Sequence, residues 1–444
     1  MWRLLRTNRR FRRLFLAETV TNFGETAVYL SLAIWVKDLT GSNAGAGIVF
    51  LAITAPGLAA PLLGHLVDRV RRRLLMIRMY LCMAVLFFTL LAVHSAEQVW
   101  IIYVVAFAYG VLSTIPARPA LLKDFLPSED AAPARSLLFS ASEGVRIVSP
   151  AIGAGIYVAL GGNSLAVLGA GTFIVAALLL ASIDIAESPP EPAGERFLKS
   201  VVAGFRYIPR VPLLLRLSLT VVAFMAVVGL LETAVFAANQ GLGQRAAFLG
   251  VITSFQGGGS VVGGLFAGWM IQRWSEARSS SAGYALMAIG LLLCLLQNVP
   301  LFLAGVVFFG FGMPFVLIAL GTAFHLYTPS RMQGRANAAV GSVTGVAQTM
   351  SIAAGVALIG VLGYQVMYLV VACTAALCAS SMLVGRVAQP DVVKSLADED
   401  DAGEPAVSTA GEPAMPTAGQ DSADGAGVNG ARPADVATEQ EISR

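Results

Sequence analysis

Twelve apolar runs, most of them roughly 20–25 residues long, follow one another along the chain. The first six lie at about 14–36, 44–66, 74–95, 98–119, 135–160 and 163–184. The second six lie at about 212–238, 245–271, 281–298, 300–326, 336–360 and 363–386. A helix rising ~1.5 Å per residue needs about 20 apolar residues to cross a hydrocarbon core of ~30 Å, so each run is long enough to span a bilayer. Inside lipid the backbone must satisfy its own hydrogen bonds. The runs are continuous and do not alternate with period two, which points to helices and away from barrel strands. The pattern predicts an all-α integral membrane protein with 12 transmembrane helices. The Arg-rich start has the outline of a signal peptide, but the run after it is too long, contains Glu18 and Glu25, and is followed by further spans. It reads as a first anchor that is retained.

Composition agrees. Apolar residues make up 56% of the 444 and charged residues only 13%, where a soluble domain holds about 45–50% and about 25%. The mean hydropathy is +0.73. So little polar surface cannot cover a soluble body of this size, which argues against a soluble enzyme, a nucleic-acid binder or a disulfide-stapled secreted domain. The cysteines Cys82, Cys294, Cys373 and Cys378 all fall inside apolar runs. None forms a Cys-x-x-Cys pair or a Cys/His cluster with metal-ligand spacing, so they read as small packing residues. No metal and no cofactor are expected.

Lys and Arg mark the cytosolic side. Arg3, Arg6, Arg9, Arg10, Arg12 and Arg13 precede the first run, and Arg69, Arg71, Arg72 and Arg73 fill the second loop. Lys123 and Arg135 lie in the fourth loop, and Arg196, Lys199, Arg206 and Arg210 in the long central one. Arg273 and Arg278 lie in the eighth, Arg331 and Arg335 in the tenth. The odd-numbered loops offer only Lys37 and Arg245. Both termini are therefore expected in the cytosol of a bacterium, with the chain multi-pass in its inner membrane.

The chain repeats itself at a spacing of about 200 residues. Arg135 to Gly155 reads RSLLFSASEGVRIVSPAIGAG, and Arg335 to Gly355 reads RANAAVGSVTGVAQTMSIAAG. A Pro-Ser pair precedes each, Pro127-Ser128 and Pro329-Ser330. With six runs on either side, this predicts two homologous six-helix bundles, at 1–184 and 212–388. Residues 185–211 would join them as a cytosolic linker, polar and Pro-rich at first (ESPPEPAGER) and then amphipathic (FLKSVVAGFRYIPR), lying partly along the membrane surface. Residues 389–444 hold 12 acidic and 3 basic residues and no aromatic one. Such a tail cannot bury a core and is expected to be disordered. The rest of the chain carries 27 basic against 15 acidic residues.

Gly64-His-Leu-Val-Asp68-Arg69-Val-Arg-Arg72-Arg73 stands in the short loop after the second run. A glycine at a helix end allows close helix contact. An aspartate beside arginines can pair charges and bond the amides of a neighbouring helix end. The order Gly-x-x-x-Asp-Arg-x-x-Arg-Arg resembles that of the major facilitator superfamily. The resemblance implies two six-helix bundles rocking about a central cavity, with Gly64, Asp68, Arg69, Arg72 and Arg73 forming a gating loop on the cytosolic side. The second-half copy departs from the pattern, with Gln272 in place of Asp. Three segments are similar to the macrolide-efflux and siderophore-export branch of that superfamily: FRRLFLAETVTNFGETAVYLSLAIWVKDLTGS, IPARPALLKDFLPSED and VVAGFRYIPRVPLLLRLSL. That likeness covers nearly all of residues 10–386 and implies export of amphipathic small molecules, driven by protons.

Charges inside a bilayer are costly and tend to face a cavity. Glu18, Asn22, Glu25 and Tyr29 make a single polar stripe on the first helix at 100° per residue. Glu25 falls near the midplane, where desolvation penalises a charged carboxyl. It is a candidate for proton coupling or substrate binding, with a structural hydrogen bond as the other role open to it. Glu18, nearer the cytosolic end, reads as structural or interfacial. Glu143 and Arg146 lie three residues apart on the fifth helix. They can pair with each other, or Arg146 can face the cavity and meet Glu25 or an anionic substrate. Glu232 on the seventh helix is a further cavity candidate. Ser149-Pro150-Ala-Ile-Gly153-Ala154 matches in part a Gly-Pro-x-x-Gly-Gly core of exporters in this superfamily, with Ser149 and Ala154 in place of two glycines. The Gly-rich GGGSVVGGLFAG at 257–268 lacks the preceding strand and following Lys of a phosphate loop and reads as helix packing.

The function expected is secondary active export of an amphipathic small molecule (a drug, a macrolide-like compound or a siderophore) by proton antiport. The partners expected are that substrate, protons and the lipid bilayer, with no nucleic acid, and the protein is expected to be a monomer. An importer or facilitator of a small nutrient is the alternative on the same fold. A non-transporting membrane sensor or assembly partner is the alternative of another class. No hydrolase motif, nucleotide loop or metal set supports an enzyme.

Overall fold

The computed structural model describes residues 2–59, 72–113, 128–183 and 196–383. Fifteen α-helices run through them. The first seven are α1 (Trp2–Thr7), α2 (Arg9–Thr40), α3 (Asn43–Thr54), α4 (Arg72–Thr89), α5 (Val99–Ser113), α6 (Ser128–Leu160) and α7 (Gly162–Ala181). Then come α8 (Arg196–Tyr207), α9 (Pro212–Val228), α10 (Leu230–Gly241), α11 (Phe248–Arg273) and α12 (Glu276–Cys294). The last three are α13 (Val299–Tyr327), α14 (Ser330–Leu358) and α15 (Tyr364–Leu383). The remaining regular structure among the described residues is short 3₁₀ turns.

Helix starts follow the sequence. Asn8, Ser42 and Asn298 cap α2, α3 and α13, their side-chain oxygens accepting from the amides of Phe11 (3.0 Å), Gly45 (3.0 Å) and Leu301 (3.3 Å). Each satisfies one of the amides a helix start leaves unpaired.

Every apolar run carries helix. Eight described helices, α4, α5, α7 and α11–α15, are long and apolar enough to cross a membrane. The other four runs fall on α2 and α6, which polar residues dilute, on α3, described only as far as Ala59, and on α9–α10, interrupted at Gly229. Polar dilution and interruption are what a helix lining an aqueous path requires, because its inner face is not solvated by lipid.

Residues Met1–Ala397 make one compact unit. Within it α2 packs on α6 and α7, α4 on α7, and α3 on α5. Further along, α12 packs on α13 and α15, α11 on α13, and α9 on α14 and α15. Water supplies no driving force for these contacts inside lipid, so close approach through small residues does. Gly283 and Gly290 of α12 meet Gly312 and Gly305 of α13 in this way. Three pairs join the first set of helices to the second: α6 with α11, α3 with α14, and α3 with α10. Gly64, Asp68 and Arg69 of the expected gating loop, residues 185–195 of the expected linker, and the 389–444 tail lie outside the described residues.

Candidate substrate and coupling site

The polar stripe on α2 reaches different neighbours along its length. Glu18 is buried, and Tyr80 of α4 donates its hydroxyl to Glu18 Oε1 at 3.4 Å. This contact lies inside the first set of helices and fits a structural role. One turn on, Asn22 Nδ2 donates to Ser142 Oγ of α6 at 2.8 Å, tying α2 to α6. Glu25 is half-buried. Tyr29, also half-buried, lies against Phe50 of α3, with ring centroids 4.9 Å apart. Phe50 in turn meets Phe236 of α10 at 6.1 Å. An aromatic chain therefore runs from α2 through α3 to α10.

Arg146 gathers the charges. It is exposed, yet it interacts electrostatically with both Tyr29 of α2 and Glu232 of α10. Tyr109 of α5 joins the same cluster through Tyr29. Arg146 of α6 thus lies within electrostatic reach of groups on both α2 and α10. The sequence left Arg146 with Glu25 or an anionic substrate as its cavity partner; the structure adds Glu232 of α10. Of Glu143 and Arg72 only the backbone is described, and Arg73 donates to the carbonyls of Leu180 (3.2 Å) and Ala181 (2.6 Å) at the end of α7.

Glu232 lies one turn past Gly229, the residue that separates α9 from α10. A side chain at Gly229 would stand 2.6 Å from the Ile352 amide and 2.8 Å from the Gln348 carbonyl of α14. The glycine thus lets α14 approach just where α9 gives way to α10. Glu232 falls in the first turn of α10.

Beyond this cluster the two sets of helices meet. Ser254 of α11 donates its hydroxyl to the Ile147 carbonyl of α6 at 2.9 Å. Gly250 packs on Pro150, Ala151 and Ala154, and Gly153 meets Ala27 of α2. At the ends of α2, α3 and α10, Lys37 Nζ donates to Asn43 Oδ1, and Asn43 Nδ2 donates to Gln240 Oε1 at 3.3 Å. Lys37 also lies 5.9 Å from the Phe236 ring centroid. A cavity of about 200 Å³ opens beside them, lined by Lys37, Asp38, Phe236, Asn239, Gln240 and Gln244 among others. Asn43 thus links α3 to α10 at this end in a polar clasp.

Sequence reasoning did not single out Tyr109, Ser142 or the Lys37–Asn43–Gln240 clasp. Ser142 sits in the repeated segment but carries no charge to flag it. Lys37 was one of only two basic residues in the odd-numbered loops, which was the available signal.

The sequence profile of the Major Facilitator Superfamily matches residues 14–251 and 233–416. A Bacillus subtilis (strain 168) protein described as the uncharacterized MFS-type transporter YfiS is 24% identical over 409 residues, 86% of this chain and 94% of its own length. Among solved structures, the nucleoside transporter NupG superposes with a TM-score of 0.67 at 12% identity, over 84% of this chain and 99% of that one. The POT family transporter PepTSo gives 0.64 at 13% identity, over 88% and 99%. The human organic anion transporter MFSD10 gives 0.58 at 14% identity, over 84% and 99%. At these identities the structural likeness is one of fold.

Proposed function

The chain belongs to the major facilitator superfamily and is a multi-pass membrane transporter of that family, and from this premise we propose that it exports an amphipathic small molecule from a bacterial cytoplasm in exchange for protons. The observation that carries the reading is the cluster of Tyr29, Arg146 and Glu232, drawn from α2, α6 and α10, with the Phe50–Phe236 pair alongside. Charge beside aromatic faces suits a substrate with a polar group and an apolar body. A drug, a macrolide-like compound or a siderophore has that character.

In this reading residues 1–184 and 212–388 form the two bundles, 185–211 the cytosolic linker and 389–444 a cytosolic tail. The protein works as a monomer with both termini in the cytosol. Glu25 carries the coupling proton, Asn22 holds α2 against α6, and Glu143, Arg146 and Glu232 line the substrate path. Gly64, Asp68, Arg69, Arg72 and Arg73 latch the cytosolic side. Proton and substrate each bias the two orientations only by their difference in affinity for them.

A susceptibility screen on deletion and overexpression strains identifies the substrate. In everted vesicles acidified inside, an exporter accumulates that substrate, and Glu25→Gln abolishes the proton-driven part while leaving the protein in the membrane. Undiminished accumulation in the variant sinks the coupling role. Uptake only in right-side-out vesicles makes the protein an importer. Deleting residues 389–444 should leave transport intact; loss of all function on that deletion favours a sensor or assembly partner.

A further inference from the structure

Helix α8 has one fixed side and one open side. Gly204 is buried where a side chain would run into the Arg335 carbonyl of α14. Buried Tyr207 donates its hydroxyl to the Tyr327 carbonyl at the end of α13, at 2.7 Å. The helix is therefore seated on the α13–α14 turn. Away from that seat, Val202 is 48% and Phe205 43% exposed, and Arg206 beside them is exposed too. Residues 196–210 contain Arg196, Lys199, Arg206 and Arg210 and no acidic residue.

The path into α9 sets the tilt. Between Val202–Arg210 and Pro212–Val228 the axis turns by 118°. If α9 crosses the bilayer, α8 lies closer to the membrane plane than to its normal. A helix in that attitude, with apolar residues and cations on its open side, has the features of an interfacial segment. Unopposed cations at a cytosolic surface are attracted to anionic headgroups.

We propose that the open face of α8 docks on anionic phospholipid, with Val202 and Phe205 entering the headgroup–acyl boundary and Arg206, with Arg210 just past the helix, binding lipid phosphate. The occupant is the bilayer surface and not a protein. The geometry holds the linker down at the place where it grips α13 and α14. This inference concerns the linker and stands apart from the identity of the substrate.

The test uses the full chain reconstituted in vesicles. Phe205→Trp provides a reporter, and the same protein without it supplies the background from Trp2, Trp35, Trp100, Trp269 and Trp274. Brominated phosphatidylglycerol should quench the reporter more than brominated phosphatidylcholine at equal mole fraction. Arg206→Gln should cut that preference roughly fivefold, the amount one basic residue near a charged surface contributes. Quenching no greater than background, or equal quenching by the two lipids, overturns the proposal. Loss of the preference on adding inorganic phosphate at constant ionic strength also overturns it, by making the site one for a soluble anion.

Discussion

Arg13 and Arg216 hold the same place in the two parts of the chain. Arg13, near the start of α2, donates to the carbonyl of Ser182 just past α7. Arg216, near the start of α9, donates to the carbonyl of Ser381 in the last turn of α15, at 2.5 Å. In each case an arginine from the first helix of a set neutralises the open carbonyls at the end of the last one. The sequence repeat was read from Arg135 and Arg335; these contacts extend it to residues 13–16 (RLFL) and 216–219 (RLSL).

Removing either arginine should weaken the helix end it serves. A cation at a helix terminus is worth about 0.3–1 kcal/mol. Arg13→Ala and Arg216→Ala should each lower thermal stability in detergent by about that amount. The double variant should show the sum, as independent sites do. A double variant as stable as the parent would remove the role assigned to both.

The clasp between Asn43 and Gln240 should govern opening at the outer end. A single hydrogen bond contributes about 1 kcal/mol. Gln240→Ala should thus raise the exposure of the groups behind it roughly fivefold. Thr233, fully buried on α10, reports this as Thr233→Cys through its labelling rate with a membrane-impermeant maleimide added outside. An unchanged rate argues against a clasp at this position.

Arg146 and Glu232 should behave as a coupled pair. Residues in electrostatic contact show interaction energies of about 0.5–3 kcal/mol in double-mutant cycles. Substrate binding by Arg146→Gln, Glu232→Gln and the double variant should therefore be non-additive. Strict additivity would mean that the two groups act separately. The Glu143→Gln change, run beside them, shows whether a neighbour on α6 shares the coupling.

Gly229 should not tolerate a larger residue. Gly229→Val forces a side chain against the α14 backbone, and overpacking of this kind costs about 1–3 kcal/mol. Because Glu232 lies one turn past Gly229, transport should fall by more than stability does. The measurement is substrate transport normalised to folded protein in the membrane. Equal losses would reduce Gly229 to a packing residue.

Most of the helical architecture was legible beforehand, since a bilayer accepts few solutions. Continuous apolar runs of spanning length must be helices, and Asn8, Ser42 and Asn298 sit where caps are needed. The interruption at Gly229 was not legible. Glycine is common in membrane helices, and only the approach of α14 distinguishes this one. Period alone reads one stripe on α2 but cannot say that Glu18 meets Tyr80 while Asn22 meets Ser142.

The sequence by itself determined that this chain is an all-helical membrane protein, because the hydrophobic length of each run and the scarcity of charge are one-dimensional properties. It also picked out the few polar residues within the spans as the ones to explain. Only the tertiary structure decided which of them meet. Arg146 and Glu232 are 86 residues apart and on different helices, and their encounter depends on how α2, α6 and α10 pack. Electrostatic partnership follows distance in space, which periodicity along a helix does not encode.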